Sequence, residues 1–206
     1  MIKNVLFDLG GVVMDIERMN CVAAFKRLGM ADPEGFLGDY AQKGPFMLIE
    51  EGVISPDEFR AEIRRLLPSP VTDSQIDNAF EEFLVGIPRH RLGAIRELRK
   101  RYRTYVLSNT NPIMWNGKIA GEFAQEGGAI DDYFDGMVTS FEAKCMKPAA
   151  GIFLYAIDRL GIIPEETLFL DDSTANLEAA ARLGFHTALV ARGTDMTLIL
   201  DRELKS

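Results

Sequence analysis

Five short apolar runs, each touching a polar residue at its end, restrict the folds open to this chain. They are NVLFDL (4–9), TYVLSN (104–109), GMVTS (136–140), TLFLDD (167–172) and TALVA (187–191). Runs of this length suit strands buried on both faces, as in a parallel sheet. Helical patterns lie between them. Phe153, Ala156, Ile157 and Leu160 recur at i, i+3, i+4 and i+7, after Pro148 and before Gly161. Leu177, Ala180 and Ala181 repeat that face, with Ser173 as the expected N-cap and Gly184 past the end. Leu92, Ile95 and Leu98 form a third stripe. Alternation of this kind predicts an α/β fold built on a doubly wound, Rossmann-like parallel sheet.

Residues 16–87 break the alternation and read as helices only. One helix is expected over 18–28, stopping near Gly29. SPDE (55–58) has the spacing of a capping box with Pro at the first helical position, followed by Phe59, Ile63, Leu66 and Leu67 on one face. TDSQ (72–75) is a second capping box, followed by Ile76, Phe80, Phe83 and Leu84. The expected organisation is a core of residues 1–15 and 88–206, with a helical cap, 16–87, inserted after the first strand.

Ligands of a parallel sheet bind beyond the carboxyl ends of its strands. Here those ends carry Asp8, then Ser108 and Asn109, then Asp171 and Asp172. Carboxylates gathered on one rim repel, and some protonate, unless a cation lies among them. Oxygen donors of this type suit Mg²⁺, which keeps waters and shares itself with a substrate phosphate. Gly10 and Gly11 let backbone N–H groups approach an anion closely. Taken singly, each feature has a plainer reading. Asp8 is equally a solvated strand end, Asp171–Asp172 a turn before a helix cap, and Lys147–Pro148 a solvated helix boundary with Lys144 as a nearby rival.

The four stretches together, in this order, resemble the haloacid dehalogenase superfamily of phosphatases and phosphotransferases. FDLGGV (7–12) is similar to its first motif, VLSNT (106–110) to its second, Lys147 in KPAAGIF to its third and LFLDDS (168–173) to its acidic fourth. The insert at 16–87 resembles the mobile cap of that family. The resemblance implies that Asp8 is the nucleophile that becomes an aspartyl phosphate. It implies that Asp8, the Gly10 carbonyl and Asp172 hold Mg²⁺, with Asp171 bound directly or through water. It implies that Ser108, the Asn109 N–H and Lys147 hold the phosphoryl oxygens.

Gly10 departs from the pattern, because the family's phosphatases usually carry a second Asp there. Its carboxyl protonates the leaving oxygen and later activates water, help worth about 10²–10⁴-fold in rate. Three ways of living with the loss are open: a good leaving group, another group acting as the acid, or little turnover. A subgroup similar to a bacterial glucose-1-phosphate phosphatase also has Gly at this position, which favours the first. The expected activity is Mg²⁺-dependent hydrolysis of a small phosphorylated metabolite, a sugar phosphate above all. The alternatives are metal-independent dehalogenation of 2-haloacids, against which Asp171 and Asp172 argue, and a binding protein that has lost turnover.

Composition narrows the partners. A net charge of −8 argues against a nucleic-acid backbone. No apolar run approaches the roughly 20 residues that span a bilayer. Asp8 interrupts the only apolar stretch near the N-terminus, so no secretory leader is expected there. Cys21 and Cys145 have no metal-like spacing and read as free thiols, which with the rest points to the cytoplasm. No P-loop or dinucleotide fingerprint is present. Asp15 reads as a cap-hinge residue or N-cap. His90 and His186 read as structural, and Trp115 as a packing residue or a border of the site. Lys43, Phe46 and Met47 lie where a pocket can form and carry no assignment. The oligomeric state is open.

Overall fold

The computed structural model describes residues 1–38 and 42–204. Its elements in chain order are β1 (Asn4–Phe7), β2 (Asp15–Ile16), α1 (Arg18–Arg27), α2 (Pro33–Phe36), α3 (Pro45–Glu50), α4 (Pro56–Arg65), α5 (Asp73–Glu81), β3 (Leu84–Gly86), α6 (Arg89–Arg99) and β4 (Arg103–Ser108). There follow α7 (Pro112–Met114), α8 (Ala120–Phe123), β5 (Gly136–Thr139), α9 (Ser140–Ala143), α10 (Ala150–Leu160), β6 (Thr167–Asp171), α11 (Thr174–Ala181), β7 (His186–Leu189) and α12 (Met196–Leu204). Among the described residues no helix is long and apolar enough to cross a membrane.

The five apolar runs form one parallel sheet in the order β5-β4-β1-β6-β7. β1 lies at its centre, with Phe7 opposite Val106 on one side and Leu170 on the other. Side chains alternate across it, as a strand requires. Leu6, Leu107 and Phe169 pack beneath α10 and α11 with Phe153, Ala156 and Ala180. Val5, Phe7, Val106 and Leu170 face α6 and α12 with Leu92, Ile95 and Met196. The chain runs outward from β1 through β4 to β5, then crosses back to β6. That reversal of direction leaves a crevice between the tips of β1 and β6.

The two capping boxes form as expected, Ser55 with Glu58 and Thr72 with Gln75, each reciprocal. Phe25, Phe46, Phe59 and Phe80 meet edge-on, tilted or stacked, with centroids 5.1–6.5 Å apart, and tie α1, α3, α4 and α5 together. The helices-only expectation for 16–87 is corrected in one respect. Ile16 and Leu84, with Asp15 and Gly86, pair as a short antiparallel ribbon, β2 with β3. Two residues are too few to show a period in the sequence, so pairing alone reveals the ribbon. Leu84, expected on the helix face, belongs to it. Ser173 sits at the N-cap position of α11, but its side chain makes no capping bond.

Arg91 locks this ribbon to the core. Its guanidinium is buried and donates to the Val12 and Val13 carbonyls, both at 3.3 Å, to Asp15 at 2.7 Å and to Asp195 at 2.9 Å. Asp15 is therefore a clamp on β2, and the N-cap of α1 is Glu17. Burial pushes the Asp195 carboxyl up, but the Thr197 N–H and hydroxyl, His90 and Arg91 outweigh it and hold it well below the usual range. A carboxylate depressed in this way stabilises the fold above its unfolded pKa of about 4, and the gain is lost as pH falls through the folded value. Asp195→Asn is expected to cost about 2 kcal/mol at pH 7. The gap between variant and wild type should narrow at pH 3, as urea unfolding will report. A gap independent of pH would remove the charge from the explanation.

Candidate active site

The tip of β1 brings the expected residues into one crevice because the turn after it is unusually tight. The N–H groups of Val13 and Met14 both donate to the Leu9 carbonyl, at 3.0 and 2.8 Å, and Gly11 donates to Met14 at 2.8 Å. Gly11 has φ +78°, and a Cβ there would lie 2.4 Å from Asp172 Oδ2. Only glycine permits both the turn and that approach. Gly10 is different. Its backbone lies outside the left-handed region, and a Cβ would meet Ile16 at an ordinary 3.4 Å. Sterics and backbone therefore do not explain the missing side chain at position 10.

Asp8 follows β1 and is anchored by its N–H on the Leu170 carbonyl at 2.8 Å. Its Oδ1 accepts from the Leu9 N–H at 2.6 Å and pairs with Lys147 Nζ at 2.9 Å. Lys147 Nζ also donates to Asp171 Oδ2 at 2.7 Å, with its side chain almost wholly buried, and lies 5.5 Å from the centre of the Phe169 ring. Lys147, and not Lys144, is thus the lysine of the crevice; Lys144 donates to the Gly52 carbonyl. Ligand oxygens of Asp8, Asp171 and Asp172 lie within 4.8 Å of one another.

Three carboxylates against one ammonium leave an excess of negative charge, and the titration of the groups reflects it. Burial pushes the Asp8 carboxyl up to about 8; Lys147 pulls it down, while Asp171 and Asp172 push it further up. Burial and Asp171 push Asp172 up to about 6. Burial alone would push the Lys147 ammonium down, but Asp171 and Asp8 more than reverse this and the net shift is upward. A hard, oxygen-only donor set with surplus negative charge fits Mg²⁺. Asp8, Asp172 and the Gly10 carbonyl are the groups that could hold it. Asp171 is already engaged: it accepts from the Ser173 N–H at 2.8 Å, from Lys147, and from Asn176 Nδ2 at 3.0 and 3.1 Å.

Asn109 does more than its N–H implies. Its amide and the main chain of Lys147 exchange two hydrogen bonds, at 3.0 and 2.9 Å, which fixes the lysine's backbone. Ser108 is buried at the tip of β4 beside it. The peptide bond between Lys147 and Pro148 is cis. Sequence reasoning missed Asn176. Its signal was a polar residue next to Leu177, on the inward side of the first turn of α11.

Asp8, Ser108, Asn109, Lys147, Asp172 and Asn176 line a cleft that is open to solvent. Gln42, Glu50, Thr110 and Ser173 contribute other polar groups, and Ile16, Phe83, Leu84, Met114 and Ile119 apolar ones. Lys43, Phe46 and Met47, which the sequence places where a pocket can form, are not among them. Lys43 is exposed and Phe46 is buried in the aromatic cluster. Trp115 does not border this cleft; it lines a separate one with Arg103 and Tyr105. His90 and His186 are exposed, bonded to Asp195 at 2.8 Å and to the Glu165 carbonyl at 3.1 Å.

Comparison with known proteins gives a consistent set of relatives. A family model described as haloacid dehalogenase-like hydrolase matches residues 2–184. The chain is 40% identical over 205 residues to a D-ribitol-5-phosphate phosphatase of Bacteroides thetaiotaomicron, covering 98% of this chain and 100% of that protein. It is similar to the crystal structure of a HAD family enzyme of the same bacterium, in complex with magnesium and inorganic phosphate. There the TM-score is 0.90 at 39% identity, over 97% of this chain and 99% of that one. It is also similar to the structure of a HAD-like family hydrolase from Porphyromonas gingivalis, with TM-score 0.92 at 38% identity over 100% and 99% of the two chains.

Proposed function

The chain belongs to the haloacid dehalogenase-like hydrolases, and from that premise we propose that it is a Mg²⁺-dependent phosphatase acting on a small polyol or sugar phosphate. The observation that carries this reading is the meeting of Asp8, Asp171 and Asp172 around Lys147 at the tips of β1 and β6. The full-length relative that hydrolyses D-ribitol 5-phosphate supports the substrate class.

Asp8 attacks phosphorus and becomes an aspartyl phosphate; water then releases inorganic phosphate and restores the carboxylate. When bound, Mg²⁺ neutralises the carboxylates and draws charge from the phosphoryl oxygens. Lys147, Ser108 and the Asn109 N–H bind those oxygens, and Asn109 and Asp171 hold Lys147 in place. In-line placement and charge neutralisation are most of what this reaction needs. Residues 16–87 act as the cap over a core of 1–15 and 88–206; Gln42, Glu50 and Phe83 of the cap share the cleft with Asp8. Two free thiols suit a cytoplasmic site of action. Dehalogenation is disfavoured, because a departing halide needs no cation and would leave Asp172 in the cleft without purpose.

The test is phosphate release from a panel of polyol and sugar phosphates. Turnover is expected with millimolar Mg²⁺, is expected to vanish in excess EDTA, and should return on adding Mg²⁺ back. Absence of release from every monoester tried, with Mg²⁺ bound, sinks the reading.

A further inference from the structure

An alkoxide is a poor leaving group, so a phosphatase of alkyl phosphates needs a proton donor on the substrate side of the phosphorus. Among the described residues, four titratable side chains line the cleft: Asp8, Lys147, Asp172 and Glu50. The first three form the charged cluster at the strand tips. Gly10 brings none. Resting on the phosphatase reading above, we propose that Glu50, at the end of α3, is the acid and base of the reaction.

Glu50 is half-buried and makes no hydrogen bond or ion pair with the described residues, so its carboxyl is free to meet a ligand. Burial pushes that carboxyl up to about 8, so it keeps its proton near neutral pH. Among the described residues the ionisable groups near it are Cys21 of α1, whose thiol burial and the charges of Glu82 and Glu50 drive upward, and, lining the same cleft, Asp8, Lys147 and Asp172. Its helix is held against the core. A Cβ on Gly52 (φ +64°), two residues on, would lie 2.2 Å from the Phe141 carbonyl oxygen of α9. The Gly52 carbonyl in turn accepts from Lys144. A cap residue fixed in this way leaves position 10 free of a side chain while keeping a carboxyl beside the leaving group.

The steps balance. Asp8 attacks phosphorus, the bond to the leaving oxygen breaks with its electron pair on that oxygen, and the Glu50 proton moves to it, releasing the alcohol. The Glu50 carboxylate then takes a proton from water as the water oxygen attacks phosphorus. The aspartyl–phosphate bond breaks with its pair returning to Asp8, inorganic phosphate leaves, and Glu50 is protonated again.

Glu50→Gln tests this through kcat/KM, which reports formation of the aspartyl phosphate. For ethyl phosphate, which has no hydroxyl group to bind, a fall of about 10²–10⁴-fold is expected. For p-nitrophenyl phosphate, whose leaving group needs no proton, the change should stay within about 3-fold. Gly10→Asp in the Glu50→Gln background should recover ethyl phosphate turnover, and the fall in rate at high pH should disappear in Glu50→Gln. Equal losses on the two substrates, or none on ethyl phosphate, overturn the proposal. Glu50→Asp serves the same comparison if the Gln variant does not fold. A wild-type protein inactive on both esters would instead overturn the phosphatase reading itself.

Discussion

Asp8→Asn is expected to lower the turnover of every substrate by at least about 10⁴-fold, because an amide cannot take the phosphoryl group from the substrate. The leaving group should not matter, which separates this loss from that of Glu50→Gln. The fold should survive. The wild-type carboxylate is buried, and burial, Asp171 and Asp172 all oppose its charge. Lys147 keeps its 2.7 Å bond to Asp171 when Asp8 is neutral. Melting in EDTA should therefore stay within about 2 °C of wild type. Activity that persists in a protein free of wild-type contamination assigns the chemistry to another residue.

Lys147→Met is expected to have the largest effect on stability. It keeps the side chain's bulk against Phe169 and removes the one ammonium that joins Asp8 and Asp171. Breaking a buried ion pair by deleting one partner costs about 3–5 kcal/mol, since the other charge stays buried without compensation. For a chain of this size that lowers Tm by roughly 10 °C in EDTA at pH 7. Millimolar Mg²⁺ should recover part of the loss, because a bound divalent cation supplies the charge that the lysine gave up. Turnover should stay low even so, as the phosphoryl oxygens lose their donor. A variant as stable as wild type in EDTA would mean that the carboxylates do not depend on Lys147.

Much of the fold and of the site is legible in the amino-acid sequence, and for a physical reason. Buried parallel strands must be continuous apolar runs, so the five strands stand out, and a polar residue at the end of such a run is conspicuous. Asp8, Ser108, Asp171 and Asp172 are visible on that ground. The capping boxes at Ser55 and Thr72 are visible because capping acts within four residues. Asn176, the side-chain role of Asn109 and the choice of Lys147 over Lys144 are hidden. Each depends on a partner 5 to 38 residues away that no local pattern announces.

Sequence by itself determined the strands, the rim that carries the acids and the lack of a carboxyl at Gly10, because all of these follow from short-range burial and backbone rules. Tertiary structure decided the rest. Only the packing of α3 against α9 brings Glu50 into the cleft, and only the folded chain shows that Gly10 has room for a side chain it lacks. A carboxyl's role is set by what surrounds it in space, and those surroundings come from residues far away in the chain.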